Sequence, residues 1–384
     1  MSSIRLLTAL LLLLFTSGMV VAQPTRWEPV VPMDRQIYPA YLVAMATTDF
    51  YKDDGFPHAT EAAGLIGFLI RDLKPNSKLK YSIKVPGLVD ASYQETLPQG
   101  GAKVWLLRPL PWNFDALRKV KQPYSTQVIL KLSINDGPPE ERVVGVGVRS
   151  INEVLIGYRW REQGQPWKWQ DTMLTLAAFV NEDHPFIDSL LKEALDTRLI
   201  DAFDGYQSDD EQQILRQMLA IWTVLQRRGF RYSSITTSSA AKDQVRSQYV
   251  RFLDDSVKTA QSNCVDGSVL WASVLRKIGL RTYLVLVPGH CFLAVDVGSK
   301  GKSKIIGLET TMMGSVDLSQ PAPAGKNPSL DSFLAAVASG TKSFDACADK
   351  LGDALSPYHV PNPDYQFVNI AEARRRHIVP ISPP

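Results

Sequence analysis

The chain reads as an α+β protein: a β-sandwich first, a helical segment next, then a mixed α+β domain that carries the chemistry. Three observations predict this. Short apolar runs separated by turn clusters dominate residues 38–158. Apolar residues then recur at helical spacing over 172–228, and strands mix with helices from Gly229 onward, around a cysteine that opens a helix.

The first segment contains Tyr41-Leu42-Val43-Ala44-Met45-Ala46, Leu79-Lys80-Tyr81-Ser82-Ile83-Lys84-Val85 and Thr126-Gln127-Val128-Ile129-Leu130-Lys131-Leu132-Ser133-Ile134. The second alternates polar with apolar throughout and the third for most of its length, the period of a strand with one buried face. Asn135-Asp136-Gly137 signals a turn before Val143-Val144-Gly145-Val146-Gly147-Val148. Several short strands with little helical patterning argue an immunoglobulin-like β-sandwich over 23–158. Such a domain more often packs or binds than catalyses.

In the second segment the helical positions are Leu174, Leu176 and Phe179, then Ile187, Leu190, Leu191, Ala194 and Leu195, and later Ile214, Met218, Ile221, Trp222 and Leu225. Ser208-Asp209-Asp210-Glu211 is an acid-rich capped start, and Arg227-Arg228-Gly229 the matching stop. Residues 159–228 thus form a helical connector packed on the C-terminal domain, with the boundary near 158–172. The C-terminal domain spans 229–357. The tail, 358–384, carries Pro361, Pro363, Pro380, Pro383 and Pro384, and its end is expected to be extended or frayed.

With 384 residues, 45% hydrophobic and 21% charged, the chain has the length and composition of a folded protein of two or three domains. A net charge of +3 without clustered Lys and Arg argues against a nucleic-acid partner. The one tight basic run, Arg374-Arg375-Arg376, reads as a solvated segment. Arg5, the apolar run from Leu6 to Phe15 and Val20-Val21-Ala22 have the pattern of an export signal over 1–22, cut after Ala22. Extended through Ala22, the run nearly reaches spanning length, so an uncleaved anchor is the alternative and the only route to a membrane. The mature protein is expected in the periplasm or secreted. Three cysteines leave at least one thiol unpaired; Cys291 and Cys347 either pair or stay free.

Cys264 is the most informative residue. Ser262-Asn263 suits a helix N-cap, Val269, Leu270, Ala272, Val274, Leu275 and Ile278 give a buried helix, and Gly279 takes the C′ place. Cys264 therefore falls in the first turn, where unpaired N–H groups and the macrodipole favour a thiolate. Residues 281–287 form a strand, Pro288-Gly289 interrupts it, and a second strand starts at His290. On it His290, Phe292, Ala294 and Asp296 share one face and Cys291, Leu293 and Val295 the other, so His290 and Cys291 do not act together. Asp296 lies about 20 Å from His290 at strand rise, too far to orient it. Glu309 ends a returning strand, 305–309, after a polar turn over 298–303. With the hairpin centred between Ser299 and Lys300, Glu309 stands directly opposite His290, at about 5 Å between Cβ atoms. A slip of one residue would turn it to the wrong face.

These residues resemble the transglutaminase-like superfamily, relatives of the papain-like thiol enzymes. The shared elements are a Cys opening a helix (Cys264), a Gly-His with an aromatic two places on (Gly289-His290-Cys291-Phe292), and an acidic residue followed by Thr (Glu309-Thr310-Thr311). The resemblance covers 229–314 and implies a transglutaminase-like, papain-like fold for the C-terminal domain. It implies Cys264 as nucleophile, His290 as general base and acid, and Glu309 as orienter. The family usually has Asp where Glu309 stands and Trp where Phe292 stands. The upstream β-sandwich gains no function from it.

For the oxyanion, the Cys264 backbone N–H is a natural donor, with Gln248 preferred to Gln261 as the second. Asn181-Glu182-Asp183-His184-Pro185 is read as shaping a helix start, and Trp222 and Trp271 as core. The sequence has no HExxH, Cys-x-x-Cys or phosphate loop. Cys264, His290 and Glu309 are chemically able to bind zinc, but an apo thiol site without cofactor is the stronger reading. The expectation is an exported cysteine peptidase, amidase or amine acyltransferase acting on a protein or peptide. The alternative is a non-catalytic scaffold whose β-sandwich holds a partner beside an inert domain.

Overall fold

The computed structural model describes residues 26–48, 66–161, 166–234, 244–316, 326–351 and 362–382. The expected leader over 1–22 lies outside the described residues. Among the described residues no helix is long and apolar enough to cross a membrane.

The chain opens with β1 (Trp27–Val30), β2 (Gln36–Ile37) and α1 (Pro39–Met45). Strands β3 (Gly67–Leu73), β4 (Ser77–Val85), β5 (Val89–Leu97) and β6 (Gly101–Leu107) follow. After α2 (Phe114–Arg118) come β7 (Tyr124–Ile134) and β8 (Glu140–Val148). Two sheets result, ordered β1-β3-β6 and β2-β8-β7-β4-β5. Alternation decides which side chains fill the space between them: Leu79, Tyr81, Ile83 and Val85 of β4 are buried while Lys78, Lys80 and Lys84 are exposed. The sheets meet where the Phe68 ring stands edge-on to Tyr81 at 5.4 Å and where Trp27 Nε1 donates to Glu140 at 3.0 Å. The Asn135-Asp136 turn between β7 and β8 has φ of 52° and 58°, the left-handed conformation these residue types tolerate.

One apolar run departs from expectation. Tyr41–Ala46 reads as a strand but belongs to α1. The run lacks alternation, Pro39 sits in the first turn where its missing N–H costs nothing, and Ala40 through Ala44 are all buried.

Strand β9 (Glu153–Trp160) joins the two halves of the molecule. It pairs with β10 (Lys168–Asp171) on one side and, across 85 or more residues of sequence, with β12 (Val245–Tyr249) on the other. A 3-10 helix (Met173–Phe179), α3 (Pro185–Asp196) and α4 (Glu211–Arg227) supply the helical segment. Asp210 caps α4 through Gln212 N, and Gly229 follows it with φ 73°. The His184 ring caps α3, accepting from Phe186 N at 3.2 Å, so the Asp183-His184-Pro185 stretch shapes a helix start. Trp222 and Trp271 are fully buried.

The last part contains β11 (Arg231–Tyr232), α5 (Leu253–Thr259), β13 (Gln261–Ser262), α6 (Cys264–Lys277), β14 (Thr282–Val287), β15 (His290–Asp296) and β16 (Ile305–Leu308). A 3-10 turn (Thr310–Gly314), α7 (Pro328–Asp345), α8 (Ala348–Leu351), β17 (Gln366–Asn369) and α9 (Ile370–Arg375) complete it. The sheet order is β16-β15-β14-β17. Cys291, Leu293 and Val295 join the main core with α6, whereas Phe292 and Ala294 face a second cluster with Cys347 and Leu351. Cys291 and Cys347 thus lie on opposite faces of one sheet, and all three cysteines are free thiols.

The described part of the tail is docked rather than frayed. Strand β17 extends the sheet beside β14, Ile381 is 4% exposed, and its N–H donates to Ala178 O at 2.8 Å. Arg374 is not a solvated charge: its guanidinium holds Glu182 at 2.8 Å and the carbonyls of Ala177 and Val180. Buried carbonyls at the end of the 3-10 helix need donors, and an arginine fork supplies several at once.

Candidate active site

Three local structures bring the site together. The first is the start of α6. Asn263 Oδ1 accepts from Asp266 N at 2.8 Å, and Asp266 Oδ2 accepts from Asn263 N at 3.3 Å, a reciprocal capping box. Asp266 Oδ1 also accepts from Arg251 N at 2.8 Å, tying the helix start to the segment after β12. Burial raises the pKa of this carboxyl, and the two backbone donors oppose the rise. The Asn-x-x-Asp spacing was visible in the sequence, although only its cap residue was read. Cys264 is the first helical residue and is half-buried.

The second is the β14–β15 hairpin. Val287 pairs with His290, leaving Pro288-Gly289 as a two-residue turn with Gly289 at φ 74°. Proline first and a left-handed glycine second is the type II signature, and it starts β15 at His290. Phe292 lies 6.2 Å from the imidazole, inclined by 28°, so the aromatic two places on packs beside the ring.

The third is the end of β16. Helix α7 crosses the strand glycine to glycine; a Cβ on Gly307 would come within 2.0 Å of Gly340 O. That close approach lets Glu309 N donate to Ala336 O at 3.0 Å, fixing where the carboxylate begins. A Cβ on Gly267 of α6 would sit 2.9 Å from Thr310 Oγ1, so the first turn of α6 packs closely on the residue after Glu309.

The hairpin register differs from the expected one by two residues. Leu293 pairs with Leu308 and Asp296 with Ile305, which sets Glu309 level with Phe292 and not with His290. An even shift preserves the face, so the two side chains still meet, diagonally. The turn closes between Lys300 and Gly301, where φ values of 55° and 71° suit a tight reversal.

His290 Nε2 lies 2.7 Å from Glu309 Oε2. The other oxygen, Oε1, accepts from Thr311 N at 3.1 Å and Thr311 Oγ1 at 2.5 Å. The Cys264 thiol also acts on the imidazole: its influence and then that of Glu309 raise the His290 pKa to about 10 against the opposing effect of burial. With Nε2 engaged by the carboxylate, Nδ1 is the nitrogen left for sulfur. Burial by itself would raise the Glu309 carboxyl, but the bonds from His290 and Thr311 and the imidazolium charge outweigh it and hold it below its ordinary value. Cys291 is a bystander, with its thiol pushed well up by complete burial.

Gln248 lies on β12, and its amide nitrogen donates to Tyr249 O at 2.9 Å, so that donor is engaged locally. Gln261 is exposed on β13. A residue not singled out from sequence is Tyr232, which pairs with Ser262, two residues before the thiol. Its phenol pKa is raised by burial and then by the charges of Cys264 and Glu309, yet 47% of the residue stays exposed. The short Arg231–Tyr232 strand gave no periodic signal to find it by.

Among the described residues, no His, Cys, Asp and Glu group has the arrangement of a metal site. Compared with protein-family models and with curated proteins, the chain matches none.

Proposed function

We propose that this chain is an exported thiol enzyme of transglutaminase-like type, acting on an amide or ester carbonyl of a protein or peptide. The observation that carries the reading is the 2.7 Å contact of His290 with the Glu309 carboxylate, beside a thiol at the first turn of α6 that acts on the same imidazole. In this reading the C-terminal sheet and α6 form the papain-like half, and the two stacked N-terminal sheets an immunoglobulin-like sandwich.

Cys264 sulfur, its proton already passed to His290, attacks the carbonyl carbon. The tetrahedral oxyanion is held by Cys264 N–H and, in place of Gln248, by the Tyr232 hydroxyl. Collapse expels the amine or alcohol, which takes the proton back from His290 and leaves an acyl-thioester. Water or an amine, deprotonated by His290, then attacks that thioester and regenerates the thiol. Glu309 accepts from Nε2–H throughout and stabilises the imidazolium, which keeps Nδ1 aimed at sulfur.

The test is a tagged peptide library assayed for hydrolysis and for amine incorporation, with Cys264→Ser as the comparison. Turnover that disappears in Cys264→Ser while the far-ultraviolet circular dichroism is unchanged supports the reading. Turnover retained in that variant ends the nucleophile assignment, and no turnover by the unmodified chain favours the scaffold alternative.

A further inference from the structure

The carboxylate of Glu309 serves two structures at once. Glu309 is the N-cap of the 3-10 turn Thr310–Gly314, and its Oε1 accepts from Thr311 N at 3.1 Å and from Thr311 Oγ1 at 2.5 Å. Its Oε2 is the atom 2.7 Å from His290 Nε2. One oxygen is therefore the cap acceptor, and the other faces the imidazole. The proposed reaction makes no use of the Thr311 hydroxyl.

A backbone N–H alone is enough to cap a turn, so the hydroxyl is surplus to the cap. What it adds is orientation. The last torsion of a glutamate side chain is soft, and a carboxylate held by a single bond can swing about it. Two donors converging on Oε1 fix the plane of the group, and with it the direction of Oε2. The turn that supplies them is itself wedged. A Cβ on Gly267 of α6 would come within 2.9 Å of Thr310 Oγ1, and a Cβ on Gly314 within 2.8 Å of Arg231 Cα. The hydroxyl is thus presented from backbone seated between the thiol helix and β11. Glu309 is only 7% exposed, so water is a poor replacement for a lost donor.

We propose that Thr311 is a positioning residue for the thiol chemistry: its hydroxyl and N–H clamp Glu309 Oε1 so that Oε2 stays aimed at His290 Nε2. In the thiol-enzyme reading, on which this role rests, the clamp keeps the carboxylate from turning away as charge appears on the imidazole. Burial works to raise the Glu309 carboxyl, and the bonds from His290 and Thr311 hold it down, so the proton stays on Nε2.

The experiment is alkylation of the full chain by iodoacetamide over about pH 5 to 9, followed at Cys264 by mass spectrometry. Cys291 and Cys347 are buried, so fast labelling reports Cys264. In the unmodified chain labelling is expected to persist at about pH 6, well below the range of a free thiol. Thr311→Val keeps the shape and the N–H but loses the hydroxyl. It is expected to slow labelling at that pH about tenfold, the worth of one hydrogen bond to a charged group. On any substrate the peptide library yields, kcat should fall by a like factor with KM little changed. Thr311→Ser restores the hydroxyl and should recover both to within about twofold. A merely structural role would lower stability in urea without moving the pH profile of labelling. Should Thr311→Val fail to fold, Thr311→Ala makes the same comparison with Thr311→Ser. A Thr311→Val chain that labels like the unmodified one, or a Thr311→Ser chain as slow as Thr311→Val, would overturn the role. A different result, slow labelling of the unmodified chain with the pH dependence of a free thiol, would sink the thiol-enzyme reading and the role of Thr311 with it.

Discussion

Glu309 meets His290 on the diagonal of the β15–β16 hairpin: the carboxylate stands level with Phe292, yet its Oε2 reaches the imidazole Nε2 at 2.7 Å. Diagonal positions lie farther apart than opposed ones, about 7–8 Å against about 5 Å. Glutamate, one methylene longer than aspartate, is the carboxylate better suited to that wider gap.

This predicts that shortening the side chain is nearly as harmful as neutralising it. In the proposed reaction Glu309→Asp and Glu309→Gln should both lower kcat, by roughly 10²-fold or more, with KM little changed. Steady-state kinetics on any substrate found by the library screen would measure this. An unaltered kcat in Glu309→Asp would show that the reach across the diagonal does not matter.

The pH dependence follows from the shifts of the same pair. The His290 pKa is raised to about 10, so its contribution to stability is fully present below about 6.5 and is lost as pH rises through about 10. Glu309 is lowered, so its contribution is present above its ordinary value and lost as pH falls through the folded one. The stability difference between the unmodified chain and His290→Gln should therefore be largest near pH 5–6.5 and shrink toward pH 10. Urea titrations across that range would measure it, and a difference that grows with pH would contradict the assignment.

Tyr232→Phe removes only a hydroxyl. If that hydroxyl faces the developing oxyanion, kcat should fall about 10²-fold while substrate binding holds. The matching change at Gln248, to Leu, should alter kcat far less. The reverse ranking would return the role to Gln248.

Gly340→Ala tests how the carboxylate is placed. The added Cβ would come within 2.5 Å of Leu308 N and 2.7 Å of Glu309 N, so β16 and α7 must separate. The expected cost is about 1–3 kcal/mol in urea unfolding, together with lower turnover, although Gly340 brings no side chain to the site. Full turnover in a destabilised variant would mean that the Glu309 position tolerates the shift.

Much of this was legible in the sequence where a single element decides the outcome. The helix start at Cys264, the face shared by His290 and Phe292, and the capped α4 follow from local spacing and cap chemistry. What escaped depends on contacts between distant segments. The hairpin register was set by where the 298–303 turn closes, which residue types alone leave open by two positions. The run at 41–46 was read by its apolarity and not by its missing alternation. Tyr232 is placed by pairing with a strand some 30 residues later, and Arg374 by Glu182, 192 residues earlier. Local patterning carries no record of such partners.

Strand β17 occupies the outer position beside β14. Because β17 follows β14 by about eighty residues in the chain, the sheet that begins at Thr282 has a bare margin during synthesis until Asn369 has been added. Tyr283 through Leu286 then present unpaired backbone groups, a template for sticking to other chains. Loss of β17 would uncover the same margin in the finished molecule, which makes Gln366–Asn369 a guard against self-association as well as a part of the sheet.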